Sequence, residues 1–218
     1  MRLYPINFRA LDGDDQFHKY EVVRLRAKPA RDDRRKESWR PDLTSVRREH
    51  QLPPGRRRKN YVEPHIRHSM CTLLRDVRKD PPSRSLAVIR PREVLGLDIG
   101  KHPGWSDDQL QKMRRAADSP DLFGSEAKIL AVPRFSAWYR YLCEASGCRG
   151  HRQGVLDWEL VALQHRLRGN GDDELRRVIR TKFLDEKIKR DQELGFYVGN
   201  QAKREHTFSV LGVYTAPR

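Results

Sequence analysis

The sequence predicts an α+β protein with an N-terminal β-hairpin region, a basic arm, and a C-terminal β-α-α-β-β unit carrying a zinc knuckle. Three observations predict it. Runs of alternating apolar residues stand near both ends of the chain, and runs with apolar spacings of three and four stand between them. Cys143, Cys148 and His151 lie close together where an aromatic-rich strand should end.

The elements follow in order. "RLYPINFRAL" and "HKYEVVRLRA" both alternate around the turn-forming "DGDD", which predicts an antiparallel hairpin over residues 1–30. Residues 31–60 hold few aliphatic side chains, two tandem prolines and four consecutive cations, so an extended basic arm is expected there. Ile66, Met70, Leu73, Leu74 and Val77 make one apolar stripe, predicting a helix over 65–79 that stops before Pro81 and Pro82. "SLAVIRPREVLGLDI" is β-prone, with an edge or bend at Pro91. Ser106 should cap a helix over 106–118, whose positive end suits Asp107 and Asp108.

In the C-terminal part, "KILAVPRFSAWYRYLC" predicts a long strand or bent strand pair. A helix through "GVLDWELVALQHRL" would place Leu156, Leu160, Leu163 and Leu167 on one face. "GNGDD" should start a second helix that runs to about residue 190 and closes with Lys187, Lys189 and Arg190, a charge order matching its dipole. "GFYVGNQ" and "TFSVLGVYTA" read as a final strand pair, with Gly199-Asn200 at a positive-φ turn. The division is 1–120 and 121–218, or one continuous domain.

The formal charge of +15 and pI near 10.1 constrain function more than any single motif does. An excess of this size repels itself in the compact state, so a polyanion is the expected ligand, and nucleic acid the first candidate. No apolar run approaches the roughly 20 residues of a membrane span. Residues 1–17 show no continuous apolar stretch of a secretory leader, so a cytoplasmic, reducing setting is expected. The candidate contacts are Arg34, Arg35, Lys36, Trp39, Arg56, Arg57, Arg58 and Lys59 in the arm. Arg176, Arg177 and Arg180 on a helix, and Lys203 and Arg204 at a turn, complete the set.

Cys143-x4-Cys148-x2-His151 supplies three borderline-soft ligands from one turn, and Gly147 and Gly150 allow the backbone to curl around them. A helix is expected to follow. A fourth ligand is needed: Cys71 would use every thiol in the chain, and His165, His206 and Asp157 are the other choices. The competing account is two buried thiols beside a surface histidine. Zinc is the expected ion, in a structural role, since no H-E-x-x-H motif supplies a general base.

A restriction-type D…E-x-K centre is the enzymatic alternative: Asp98, Glu126 and Lys128 would hold magnesium and an attacking water. "GLDIGKH" lacks the spacer and hydroxyl of a phosphate loop and reads as a turn after a strand. Trp158, between Asp157 and Glu159, should pack on the knuckle or core. The leading expectation is a nucleic-acid-binding subunit of a larger nucleic-acid-processing or defence assembly, with other protein subunits as further partners. The alternatives are a metal-dependent nuclease and a basic subunit that meets an acidic protein.

Overall fold

A computed structural model describes residues 1–4, 16–53, 55–80, 83–118 and 131–218. The fold is α+β, as expected, but its N-terminal third is built differently. Strand β1 (Arg2–Leu3) does not pair with β2 (Glu21–Arg24). With β3 (Ala27–Pro29) and β4 (Ser38–Pro41) it forms a three-stranded sheet in which β1 runs parallel to β4. β2 instead pairs antiparallel with β5 (Arg47–Gln51). Most of the predicted first hairpin strand and its turn, residues 5–15, lie outside the described residues; within them β1 and β2 do not pair, and the predicted arm is folded. The reason is visible in β5, whose five residues are all exposed, so it carries no hydrophobic period to read.

The four cations at 56–59 open helix α1 (Arg56–Val62). Tertiary contacts hold this helix. Val62 is buried with Val88, Tyr214 and Ala216, and the Arg58 guanidinium lies 3.6 Å from the Tyr20 ring centre.

Helix α2 (Met70–Lys79) starts later than its apolar stripe implied, because Pro64 and Ile66 lie in and just after a 3-10 turn at Glu63–His65. Ser69 caps α2 through the Thr72 amide at 3.1 Å, and Met70, Leu73 and Val77 face the core. β6 (Leu86–Ile89) and β7 (Pro91–Lys101) then enter different sheets, so Pro91 marks the expected bend. "GLDIGKH" is mostly strand within β7, not a turn. α3 (Asp107–Asp118) is capped by Ser106, whose Oγ accepts from the Gln109 amide at 3.3 Å.

β8 (Phe135–Cys143) pairs antiparallel with β7 on one side and β9 (His151–Gly154) on the other. Since β7 precedes residue 120 and β8 follows it, one sheet spans both sequence parts. β9 was missed, so the C-terminal order is β-β-α-α-β-β. Helix α4 (Trp158–Arg166) begins only after Asp157, which caps the Glu159 amide at 3.0 Å. Leu156 therefore lies outside the helix and is 57% exposed, and Trp158 is 51% exposed instead of packed inward. Gln164 takes a buried place on α4 because its amide bonds both the N–H and the C=O of Phe135, at 2.8 and 3.0 Å. α5 (Asp172–Arg180) gives way to a π-helical turn over Thr181–Asp185, well short of the predicted end.

β10 (Gln192–Gln201) and β11 (Arg204–Pro217) form the expected pair, with β6 on the far side of β10. Gly199 sits inside β10 without a positive φ, and the reversal falls after Gln201. What its lack of a side chain permits is close approach: a Cβ there would stand 2.8 Å from Leu211 Cδ1 and 2.9 Å from Leu86 Cδ2.

The core forms between the inward residues of β8 (Phe135, Ala137, Tyr139, Tyr141, Cys143) and those of β10 and β11. Phe196 joins the two groups, 4.8 Å from Tyr139 and 5.2 Å from Tyr141 by ring centres. Helices α2, α4 and α5 close the core with Leu73, Leu163, Leu175 and Ile179. No described helix is long and apolar enough to cross a membrane.

Candidate metal centre and basic surfaces

Strict alternation along β8 puts Cys143 on the same face as Tyr139 and Tyr141, so its sulfur enters the interior. The chain then turns through Ala145–Cys148, closed by the Cys148 amide on the Ala145 carbonyl at 3.2 Å. Gly147 (φ 73°) and Gly150 (φ 104°) take the positive dihedrals this reversal needs. β9 brings the chain back beside β8, with His151 opposite Tyr141. The element leaving the knuckle is thus a strand, where a helix was expected. Cys71 arrives from another direction, in the first turn of α2.

These four residues converge. The Nε2 of His151 is 3.4 Å from each of the three sulfurs, and all four donor atoms lie within 4.8 Å of one another. A tetrahedral zinc with ordinary Zn–S and Zn–N bonds would separate sulfur from nitrogen by about 3.6 Å and sulfur from sulfur by about 3.8 Å. The observed spacing fits those edges. The three thiols are unbridged. His165, His206 and Asp157 are not part of the group. The cluster can hold a metal ion such as zinc, and it is the one set of this kind found among the described residues.

The surrounding backbone favours sulfur as an anion. Burial opposes ionisation of Cys143, but amide N–H groups of Cys71 and Ala145 and the His151 ring outweigh it and bring the thiol down to about 6. Burial pushes the Cys71 thiol up to about 12, reinforced by the two neighbouring sulfurs. The Cys143 amide also lies 3.4 Å from the Cys148 sulfur. Three thiolates this close repel, and a divalent cation removes the conflict. At pH 7.5 Cys143 is already ionised while Cys71 still holds its proton, so metal uptake must displace at least one proton. Calorimetric titration of metal-free protein in two buffers of different ionisation enthalpy should therefore show net proton release. Equal heats in both would contradict it. Because thiols bind metal as thiolates, the metal's contribution to stability is present at neutral pH and is lost as pH falls and protons compete for sulfur.

The predicted basic contacts fall into two sets. Residues 35–39 and 200–202, remote in sequence, come together: Arg35 Nη1 donates to the Asn200 carbonyl at 2.6 Å, tying the β4 side to the end of β10 next to its hairpin with β11. Beside this link lies a cavity of about 270 Å³ lined by Arg2, Tyr4, Asp33, Arg35, Trp39 and Ala202. Arg34, Lys36 and Lys203 adjoin the lining residues Arg35 and Ala202 along the chain, and these three and Arg204 are exposed. Arg35 itself is a strut, held on Asp33 through Nε at 2.8 Å and Nη2 at 2.5 Å.

In the second set Arg58, Lys59 and Arg176 are engaged within the fold, whereas Arg177 and Arg180 are exposed. Arg58 donates to the Leu52 carbonyl at 3.0 Å, and Lys59 lies 3.7 Å from Glu63. Arg176 donates to the Ile99 carbonyl at 2.8 Å and covers the Phe135 ring. Arg177 lies 3.8 Å from Glu174, and Arg180 is exposed; Arg56 and Arg57 are in the first turn of α1. Arg2 and Tyr4 were missed because two-residue β1 leaves no periodicity to find.

The nuclease residues do not assemble among the described residues. Glu126 and Lys128 lie outside them. Asp98 is inside β7, where Arg140 Nε (2.8 Å) and Arg152 Nε (2.7 Å) each take one of its carboxylate oxygens. Those bonds, Arg152 first, hold its carboxyl below the usual range. Both carboxylate oxygens of Asp98 are thus paired with guanidinium groups.

Comparison with known proteins gives two family matches. The family described as a domain of unknown function (DUF8757) matches residues 66–218, which include all four metal-site residues. A second domain of unknown function (DUF8758) matches residues 1–64. No curated protein and no solved structure matches.

Proposed function

We propose that this chain, which belongs to the DUF8757 family, is a nucleic-acid-binding module whose fold is fixed by a structural zinc ion. It would work as a cytoplasmic subunit of a larger nucleic-acid-processing assembly. The observation that carries the reading is a cavity lined by Arg35, Trp39 and Ala202, beside which along the chain stand the exposed cations Arg34, Lys36, Lys203 and Arg204. Asp32 and Asp33 also line the cavity, so these outer cations would take the phosphates, and the Trp39 indole offers a surface to a base. Zinc is favoured by the donor set: three sulfurs and one imidazole suit a borderline-soft ion without redox demands, and four protein ligands leave no position for substrate. The role is therefore structural. Three unbridged thiols accord with a reducing compartment.

The test is a salt titration of binding. Fluorescence anisotropy with labelled oligonucleotides should show affinity falling about 10³- to 10⁵-fold between 50 and 200 mM salt, if six to ten phosphates are engaged. The double variant Lys203→Gln, Arg204→Gln should lower the salt slope by about 2. Affinity that ignores salt, or no binding to any oligonucleotide, overturns the reading. Selective binding of an acidic protein would replace it.

A further inference from the structure

The outward face of the β7–β8–β9 sheet holds an arrangement that the reading above does not use. Along β8, Ser136, Trp138, Arg140 and Leu142 point away from the core. The Trp138 indole lies across both neighbouring strands. A Cβ on Gly100 of β7 would stand 3.3 Å from its Cζ3, and one on Gly154 of β9 would stand 3.6 Å from its Cδ1. The Arg152 guanidinium sits 4.4 Å from the ring centre. Arg140 lies over Gly96, where a Cβ would be 3.1 Å from Nη2 and where φ is +152°.

Between the two arginines, Asp98 takes the Nε of each, leaving one net positive charge. Both guanidiniums remain about half exposed, at 49% and 53% of their side-chain surface. Their Nη atoms make no hydrogen bond among the described residues.

Ion pairs this exposed return little stability, whereas strand glycines weaken a sheet. Gly100, where a Cβ would crowd the indole, and Gly96, whose φ of +152° suits glycine beneath the Arg140 guanidinium, are poorly explained by sheet stability alone. A planar platform edged by two outward guanidiniums does fit a nucleotide: a base stacks on the Trp138–Arg152 pair, and the Nη groups of Arg140 and Arg152 take the adjoining phosphate.

We propose that this sheet face is a second nucleic-acid contact, specific for single strands because only an unpaired base can stack on the Trp138–Arg152 pair. It deepens the reading above and rests on it.

The test keeps the two claims apart. Full-length, metal-loaded protein is titrated with a fluorescein-labelled 20-nucleotide dT strand and with a duplex of equal length. The parent should prefer the single strand. Trp138→Ala should weaken that binding about 10-fold, within the range known for loss of one stacked base, and Trp138→Phe should restore most of it. Arg140→Gln with Arg152→Gln should lower the salt slope of single-strand binding by about 0.7 for a shared phosphate.

Photocrosslinking of unaltered protein to an iodouridine-substituted strand gives a readout free of any folding defect. Trypsin should release adduct on the peptide 135–140, in which Trp138 is the single tryptophan. Adducts confined to residues 31–40 and 201–204, or undiminished single-strand binding by folded Trp138→Ala, overturn this inference and leave the wider reading intact. Failure of the parent to bind either probe removes both.

Discussion

Cys148→Ser is expected to abolish stoichiometric metal binding and lower the melting temperature by about 10 °C. The metal site ties α2 to the turn between β8 and β9, connections that the intervening chain does not otherwise enforce locally. Zinc contributes about 10–16 kcal/mol in peptides that have no fold without it. Here a core exists independently, so a smaller share is at stake, about 3–5 kcal/mol. For chains of this size each kcal/mol moves the midpoint by about 2–4 °C. Serine is the apt replacement because it preserves volume while removing the soft donor. Metal content by mass spectrometry and melting by scanning fluorimetry check the expectation together. A chelator should lower the midpoint of the parent and leave that of Cys148→Ser unchanged. A variant that keeps one ion per chain, or melts with the parent, would show that the cluster is only a group of packed thiols.

Phe196→Ala is expected to destabilise comparably by another route. Its ring is fully buried between Tyr139 and Tyr141 and joins the β8 side of the core to the β10 side. Truncating a buried phenylalanine costs about 3–5 kcal/mol through lost transfer and the cavity left behind. The two aromatic contacts place this site toward the upper end. The polar neighbours limit relaxation: Tyr139 is fixed to the Phe183 carbonyl at 2.5 Å and Tyr141 to Gln153 Oε1 at 2.5 Å. Neither ring can swing into the void without leaving a buried hydroxyl unpaired. The melting temperature should therefore fall by about 10 °C or more, again at about 2–4 °C per kcal/mol, while one metal ion per chain is retained. A shift under about 2 °C would mean that the two sheets do not share this core.

Opposite outcomes in metal content distinguish the two variants. They also show where local pattern sufficed. The spacing of Cys143, Cys148 and His151, with two glycines beside them, is written within nine residues, and geometry at that range is set by the backbone alone. Ser69 and Ser106 cap helices by contacts three residues away, so α3 is found where Ser106 points, and the apolar stripe of α2 is real. The first turn of α2 was misplaced because Ile66 shares the stripe's spacing but pairs with Val88 instead. β10 and β11 are legible because one face of each is buried, which imposes period two.

The N-terminal third fails for the converse reason. β4 and β5 hold mainly polar residues, and their pairing is fixed by partners far along the chain. Arg2 reaches Ser85 at 3.0 Å, Glu37 accepts from the Ser85 amide at 2.9 Å, and Arg35 reaches Asn200. No window of neighbouring residues contains such information. The same holds for charge. Arg34 and Lys36 remain exposed while Arg58 and Arg176 are consumed internally, although all four read alike as cations.

By itself, then, the sequence determined what depends on short chain separations, namely the three clustered ligands, the caps and the half-buried strands, and with them the surplus of positive charge. Only the tertiary structure decided which distant thiol joins the candidate metal site, which cations stay exposed, and that Gly100 and Gly96 lie beneath Trp138 and Arg140. The division has a physical cause. Backbone sterics and burial periodicity act between near neighbours, whereas coordination, ion pairing and close packing join atoms whose separation along the chain carries no energetic signature until the core has formed.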